Sequence, residues 1–187
     1  PEMLPYFYAL LGDRTPETFL QRREVQATFS PLALEAFAAL ERGGPLRLEQ
    51  ASAAISGHPS GAALERALHE LDARALIARA GDGSYDLLLR WAPELVKQGS
   101  GLSMAQGLSA LISKYLDTVV AASPAEIESF FTPMAARSKV RDAVQALLAA
   151  REFAYIPVGK QTLIHFAPAA EPLLRPRQPR RKTTAKP

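Results

Sequence analysis

The chain contains no cysteine. That single absence removes disulfides, thiolate metal sites and cysteine nucleophiles, and with them a secreted disulfide scaffold. Long apolar runs are missing too: none approaches the roughly 18 residues a membrane helix needs, and the N-terminus lacks the basic-then-apolar order of a signal peptide. The expectation is a cytoplasmic, nucleoid-associated protein with no membrane contact. Histidine is scarce. His58, His69 and His165 show no HxxxH or HExxH spacing that would bring two imidazoles onto one metal, so neither a metal nor another cofactor is expected. No Ser/His/Asp set can be read from spacing, and the carboxylate pairs Asp82/Asp86 and Glu126/Glu128 fall at turns and helix starts, where capping accounts for them. The sequence therefore reads as that of a non-enzymatic protein.

Acidic residues are absent from one further place, the end of the chain. Six basic residues follow Glu171 (Arg175, Arg177, Arg180, Arg181, Lys182 and Lys186) with no acid among them. Taking those six from the 22 Lys and Arg leaves 16 against 19 Asp and Glu, so the formal charge of +3 hides a body of −3. A stretch so rich in Pro, Arg and Lys buries too little to offset its ordering entropy, and residues 173–187 are expected to form a disordered basic tail. Such tails attract phosphate backbones by releasing counterions, or simply keep a protein in solution.

The whole chain has 48% hydrophobic and 22% charged residues and can bury a real core, or two small ones. Its strongest signal is a repeated order of elements. SPLALEAFAALER opens on a serine cap and a proline at the first helical position. GGP stops that helix, LRLEQASAAI supplies an extended step and a short helix, and SGHPSG turns the chain. A third helix over 62–74 carries Leu64, Leu68, Leu71 and Ala75 on one face. LIARAGDGSYDLLL then reads as a hairpin around Gly81-Asp82-Gly83. The second half repeats the order. A helix spans 104–121, a short one starts at Ser123-Pro124, and a third over 135–151 has the apolar face Val140, Val144, Leu147 and Leu148. FAYIPVGKQTLIHFAP closes it as strand, turn, strand. The two third helices end about 76 residues apart, and Lys97-Gln98-Gly99-Ser100-Gly101 reads as a flexible linker. Trp91 is expected to close the first core or pack between the copies, the alternative being an exposed anchor.

VGKQT, residues 158–162, superficially suggests a phosphate-binding loop. GxxxxGK[ST] must sit between a strand and a helix. Here the upstream glycine is missing and the β-prone TLIHF follows, so Lys160 belongs at a hairpin tip.

This order resembles the winged helix-turn-helix family, as a tandem pair. The fold expected is mainly α with small β-hairpins: an N-terminal helical arm over 1–29, in which the apolar MLPYFYALL and the capped helical pattern TPETFLQRREVQ pack on the first domain or on a partner, winged-helix domains over 30–98 and 102–172, and the tail. The resemblance implies that the third helix of each copy is the recognition helix and the hairpin its wing. It points to Arg66 and His69 in the first copy and to Arg137, Ser138, Lys139, Arg141 and Gln145 in the second. Lys160 at the wing, with Arg175, Arg177, Arg180, Arg181 and Lys182 in the tail, completes the set. Asp142 also faces outward. The partner implied is double-stranded DNA held mostly by its phosphates, in transcription regulation or chromosome maintenance. The alternative is a protein-interaction module using the outer faces and the N-terminal arm, and family members are often dimers.

Overall fold

The computed structural model describes residues 2–13, 16–22 and 27–167. It is mostly helical with small antiparallel sheets, as the sequence predicts. Helix α1 (Leu4–Leu11) and a 3-10 turn (Pro16–Gln21) come first. Within TPETFLQRREVQ, expected to be helical, that turn is what the described residues form; residues 15 and 23–26 lie outside them.

The first half contains α2 (Pro31–Gly43), α3 (Leu48–Ala54), α4 (Gly61–Asp72) and the hairpin β1 (Ile77–Arg79)/β2 (Tyr85–Leu87). Helix α2 starts where Ser30 Oγ accepts from the Ala33 amide at 3.2 Å, one of the helix's unpaired first-turn donors. It stops at Gly44, whose φ of +78° suits glycine. The extended step after it is a bridge: Leu46 and Tyr85 exchange backbone hydrogen bonds of 2.9 and 2.8 Å. Leu64, Leu68 and Leu71 of α4 are buried against Phe37 and Leu40. Phe19 from the 3-10 turn completes this core, its ring 4.5 Å from Phe37 and 5.2 Å from Phe29.

The second half contains α7 (Met104–Val119), β3 (Ala121–Ala122), α8 (Pro124–Phe131), α9 (Arg137–Ala149), β4 (Phe153–Val158) and β5 (Gln161–Phe166). The strands form one antiparallel sheet in the order β3-β5-β4, with Tyr155 opposite Ile164 and Val158 opposite Gln161. Ile127, Phe131, Val140, Val144, Leu147, Phe153 and Ile164 fill its core. The expected face of α9 is thus the buried one, Leu148 lying at its half-buried margin. Both α7 and α8 open on reciprocal caps, Ser103 with Gln106 and Ser123 with Glu126.

Two expectations fail between these halves. The glycine-rich stretch 97–101 is no flexible linker: it is the last turn of α6 (Pro93–Gly101), which follows the short α5 (Leu88–Trp91). Gly99 is buried because α1 crosses it so closely that a Cβ would lie 2.7 Å from the Pro5 carbonyl oxygen. Trp91 is 60% exposed. Leu88, on the same short helix, takes the buried position with Tyr8 and Val96. Arg90 fixes that helix by donating to the Leu40 and Glu41 carbonyls at the end of α2 and to Asp86. Of the segment over 1–29, Phe19 joins the first core, while in α1 Leu10 belongs to the second core and Tyr8 to the small cluster beside α6.

Candidate nucleic-acid interface

Helix α9 begins without a side-chain cap. Its N-cap is Ala136, and no acid lies in its first turn. The first amides and the positive end of the helix dipole therefore meet Arg137, Ser138 and Lys139, all exposed. An uncapped helix start flanked by two cations has the electrostatics of an anion site. Ser138, Asp142 and Gln145 form one exposed stripe opposite Val140, Val144 and Leu147, as 100° per residue requires.

Arg141 stands apart. Its Nε donates to Glu128 Oε1 at 3.1 Å and its Nη2 to Oε2 at 3.2 Å, a two-pronged bridge from α9 to α8. The hydrogen bond from Arg141 holds the Glu128 carboxyl below its ordinary range, and the same bond pushes the guanidinium up. Of the pair read from sequence as capping, only Glu126 caps. Glu128 is instead a partner thirteen residues from Arg141, a relation set by how two helices cross and invisible to spacing.

At the other end of this half, β4 and β5 turn through Gly159, at φ +61°, and Lys160. Lys160 is exposed at the tip, and a strand follows it rather than a helix. The first half presents different chemistry. Helix α4 is capped by Ser60, Arg66 Nε folds back onto the Ala62 carbonyl at 3.3 Å, and His69 is exposed near its end. Its hairpin tip is acidic: Asp82 Oδ1 accepts from the Ser84 hydroxyl at 2.7 Å and amide at 3.0 Å, which holds the carboxyl below its usual range. Asp86 ends in the bridge to Arg90 at 2.6 Å. Arg175, Arg177, Arg180, Arg181 and Lys182 lie outside the described residues.

Two concavities accompany these surfaces. A cleft of about 190 Å³ lies between the end of α1 and the first core, walled by Gly12, Asp13, Phe19, Phe29 and Arg74. Asp13 is ion-paired there with Arg22. An apolar groove of about 370 Å³ runs between α1, α7 and α8, walled by Met3, Phe7, Tyr115 and Phe130. Among the described residues no group of three or more His, Cys, Asp or Glu converges to hold a metal ion, and no helix is long and apolar enough to cross a membrane.

A DNA-acting protein is the class these features suit. Residues 1–185 match the family described as DNA glycosylase AlkZ-like, and the chain belongs to that family. No curated protein and no solved structure matches it. Membership corrects the expectation of a non-enzymatic protein, because the family is one of enzymes. The missing motif misled for a physical reason: catalytic groups brought together by folding from separate elements need leave no fixed spacing in the chain.

Proposed function

We propose that the chain grips duplex DNA through its second half and excises a base from it. The observation that carries this reading is the cationic, uncapped start of α9, with Arg137 and Lys139 exposed beside amides that lack a side-chain cap. In this reading each half is a winged helix, the division falling at Leu102–Ser103 between α6 and α7. Helix α9 approaches the groove, Lys160 at the wing reaches a phosphate, and the basic residues after Glu171 add salt-dependent affinity. The acidic tip at Asp82 keeps the first hairpin off the backbone.

Base excision cleaves the bond between C1′ of the sugar and a base nitrogen. Water adds to C1′, and the base leaves carrying a proton. Such an enzyme turns its target out of the stack into a concave site. The 190 Å³ cleft suits one base, with Phe19 and Phe29 in its walls and a carboxylate, Asp13, ion-paired with Arg22. Asp13 is the group we assign to stabilising positive charge that develops on the sugar.

The test uses duplexes treated separately with a methylating agent, an oxidant and a deaminating agent. Abasic sites are scored by alkaline cleavage, and binding by gel shift. The wild-type chain is expected to release bases from one of the three substrates, and Asp13→Asn to bind with unchanged affinity while releasing at least about tenfold less. Equal release by both proteins would remove Asp13 from the chemistry. The apolar groove favours a second reading, a protein-docking surface. That reading gains if the wild-type chain shows no salt-dependent duplex binding.

A further inference from the structure

The bridge between Glu128 and Arg141 spans the two helices nearest the proposed DNA surface. A guanidinium fork engaged by two carboxylate oxygens has the geometry that two phosphate oxygens would take. The pair is on the surface, Arg141 with 62% of its side chain accessible and Glu128 with 22%. It is therefore cheap to open. Arg137 also acts on Glu128, and Asp142 on Arg141, so the cluster holds two cations and two anions on one side of the α9 start. An engaged Arg141 adds little attraction for a polyanion, which leaves Arg137 and Lys139 to dominate the face.

We propose that Glu128 is a built-in competitor for DNA: in the free chain its carboxylate fills the Arg141 fork, and duplex binding exchanges that carboxylate for a phosphate. The inference rests on the DNA-binding reading. It has a specific consequence for salt dependence. When Arg141 moves to a phosphate, one counterion leaves the duplex but the uncovered Glu128 recruits another cation, so the exchange contributes almost nothing to the salt slope. Removing the charge of Glu128 lets Arg141 contribute fully, about 0.9 of a unit in the slope of log affinity against log salt.

Binding of the full chain to an undamaged duplex is measured across a salt series for wild type, Glu128→Gln, Arg141→Gln and the double variant. Glu128→Gln is expected to bind about fivefold tighter at low salt, from release of one exposed pair, and to steepen the slope by about 0.9. Arg141→Gln and the double variant should keep the wild-type slope. A Glu128→Gln slope equal to wild type overturns the proposal, as does weaker binding by that variant, which would make the bridge a structural tie holding α8 to α9. A companion variant, Arg137→Gln with Lys139→Gln, separates the two levels. If it leaves wild-type binding unchanged, the DNA reading of α9 falls and takes this inference with it. If it weakens binding while Glu128→Gln has no effect on the slope, only the competitor role is lost.

Discussion

Gly107→Ala tests the seating of α1 most sharply. A Cβ built at Gly107 would lie 2.7 Å from Leu10 Cδ1, 2.8 Å from Ala9 Cβ and 2.9 Å from the Tyr6 carbonyl oxygen. Carbon atoms settle near 3.5 to 4.0 Å, so α1 would have to withdraw by roughly 1 Å at its closest point. The Tyr6 oxygen is backbone and cannot rotate away. Overpacking of this kind costs about 1 to 3 kcal/mol, and alanine's better helix propensity returns about 1 kcal/mol. A net loss of up to about 2 kcal/mol follows, or up to roughly 8 °C in Tm for a chain of this size. Gly99→Ala meets the other side of α1, 2.7 Å from both the Pro5 oxygen and Tyr8 Cβ, and should cost a similar amount. The double variant should lose at least the two losses combined, because α1 is then pressed from two sides and withdrawal from one clash tightens the other. Gly101→Ala is the control: nothing lies within 4 Å of its Cβ, so its Tm should stay level or rise slightly. Thermal unfolding followed by circular dichroism reads all four. A Gly107→Ala chain as stable as Gly101→Ala would refute the close approach of α1 to α7.

Two further outcomes follow from burial and charge. Phe131 is 1% exposed and Trp91 60%; Phe131→Ala should cost about 3 to 5 kcal/mol, whereas Trp91→Ala should stay within about 0.5 kcal/mol, and equal losses in denaturant titrations would place Trp91 in a core after all. The Glu126 carboxyl is held below its usual range by hydrogen bonds from the Ser123 backbone and side chain. Its contribution is therefore present above the unfolded carboxylate range near pH 4.3 and disappears as pH falls through the lower folded value. The Tm gap between wild type and Glu126→Gln should hold steady at neutral pH and close on acidification, and a gap unchanged in acid would exclude the cap as its source.

Much of the fold was legible because helices and hairpins announce themselves locally. Leu64, Leu68 and Leu71, and later Val140, Val144 and Leu147, recur at the helical period and are buried where that period puts them. Gly81-Asp82-Gly83 and Gly159-Lys160 carry turn chemistry, and both turns form. Relations between elements were hidden. Gly99 looks like linker glycine until α1 is seen lying across it, and nothing in MLPYFYALL says that Tyr8 and Leu10 serve different clusters. Glu128 and Arg141 meet only because α8 and α9 cross. The cleft proposed for base excision was illegible for the same reason, since Asp13 and Phe29 approach each other there only in three dimensions.

The most direct measurement is the salt dependence of duplex binding by three proteins. They are the wild-type chain, the variant Arg137→Gln/Lys139→Gln/Lys160→Gln, and a chain lacking residues 175–187. If the start of α9 and the second hairpin hold the backbone, the triple variant loses three phosphate contacts and its slope becomes shallower by about 2.7, while the shortened chain keeps a measurable affinity. A triple variant that binds like wild type, beside a shortened chain that does not bind at all, would contradict the account.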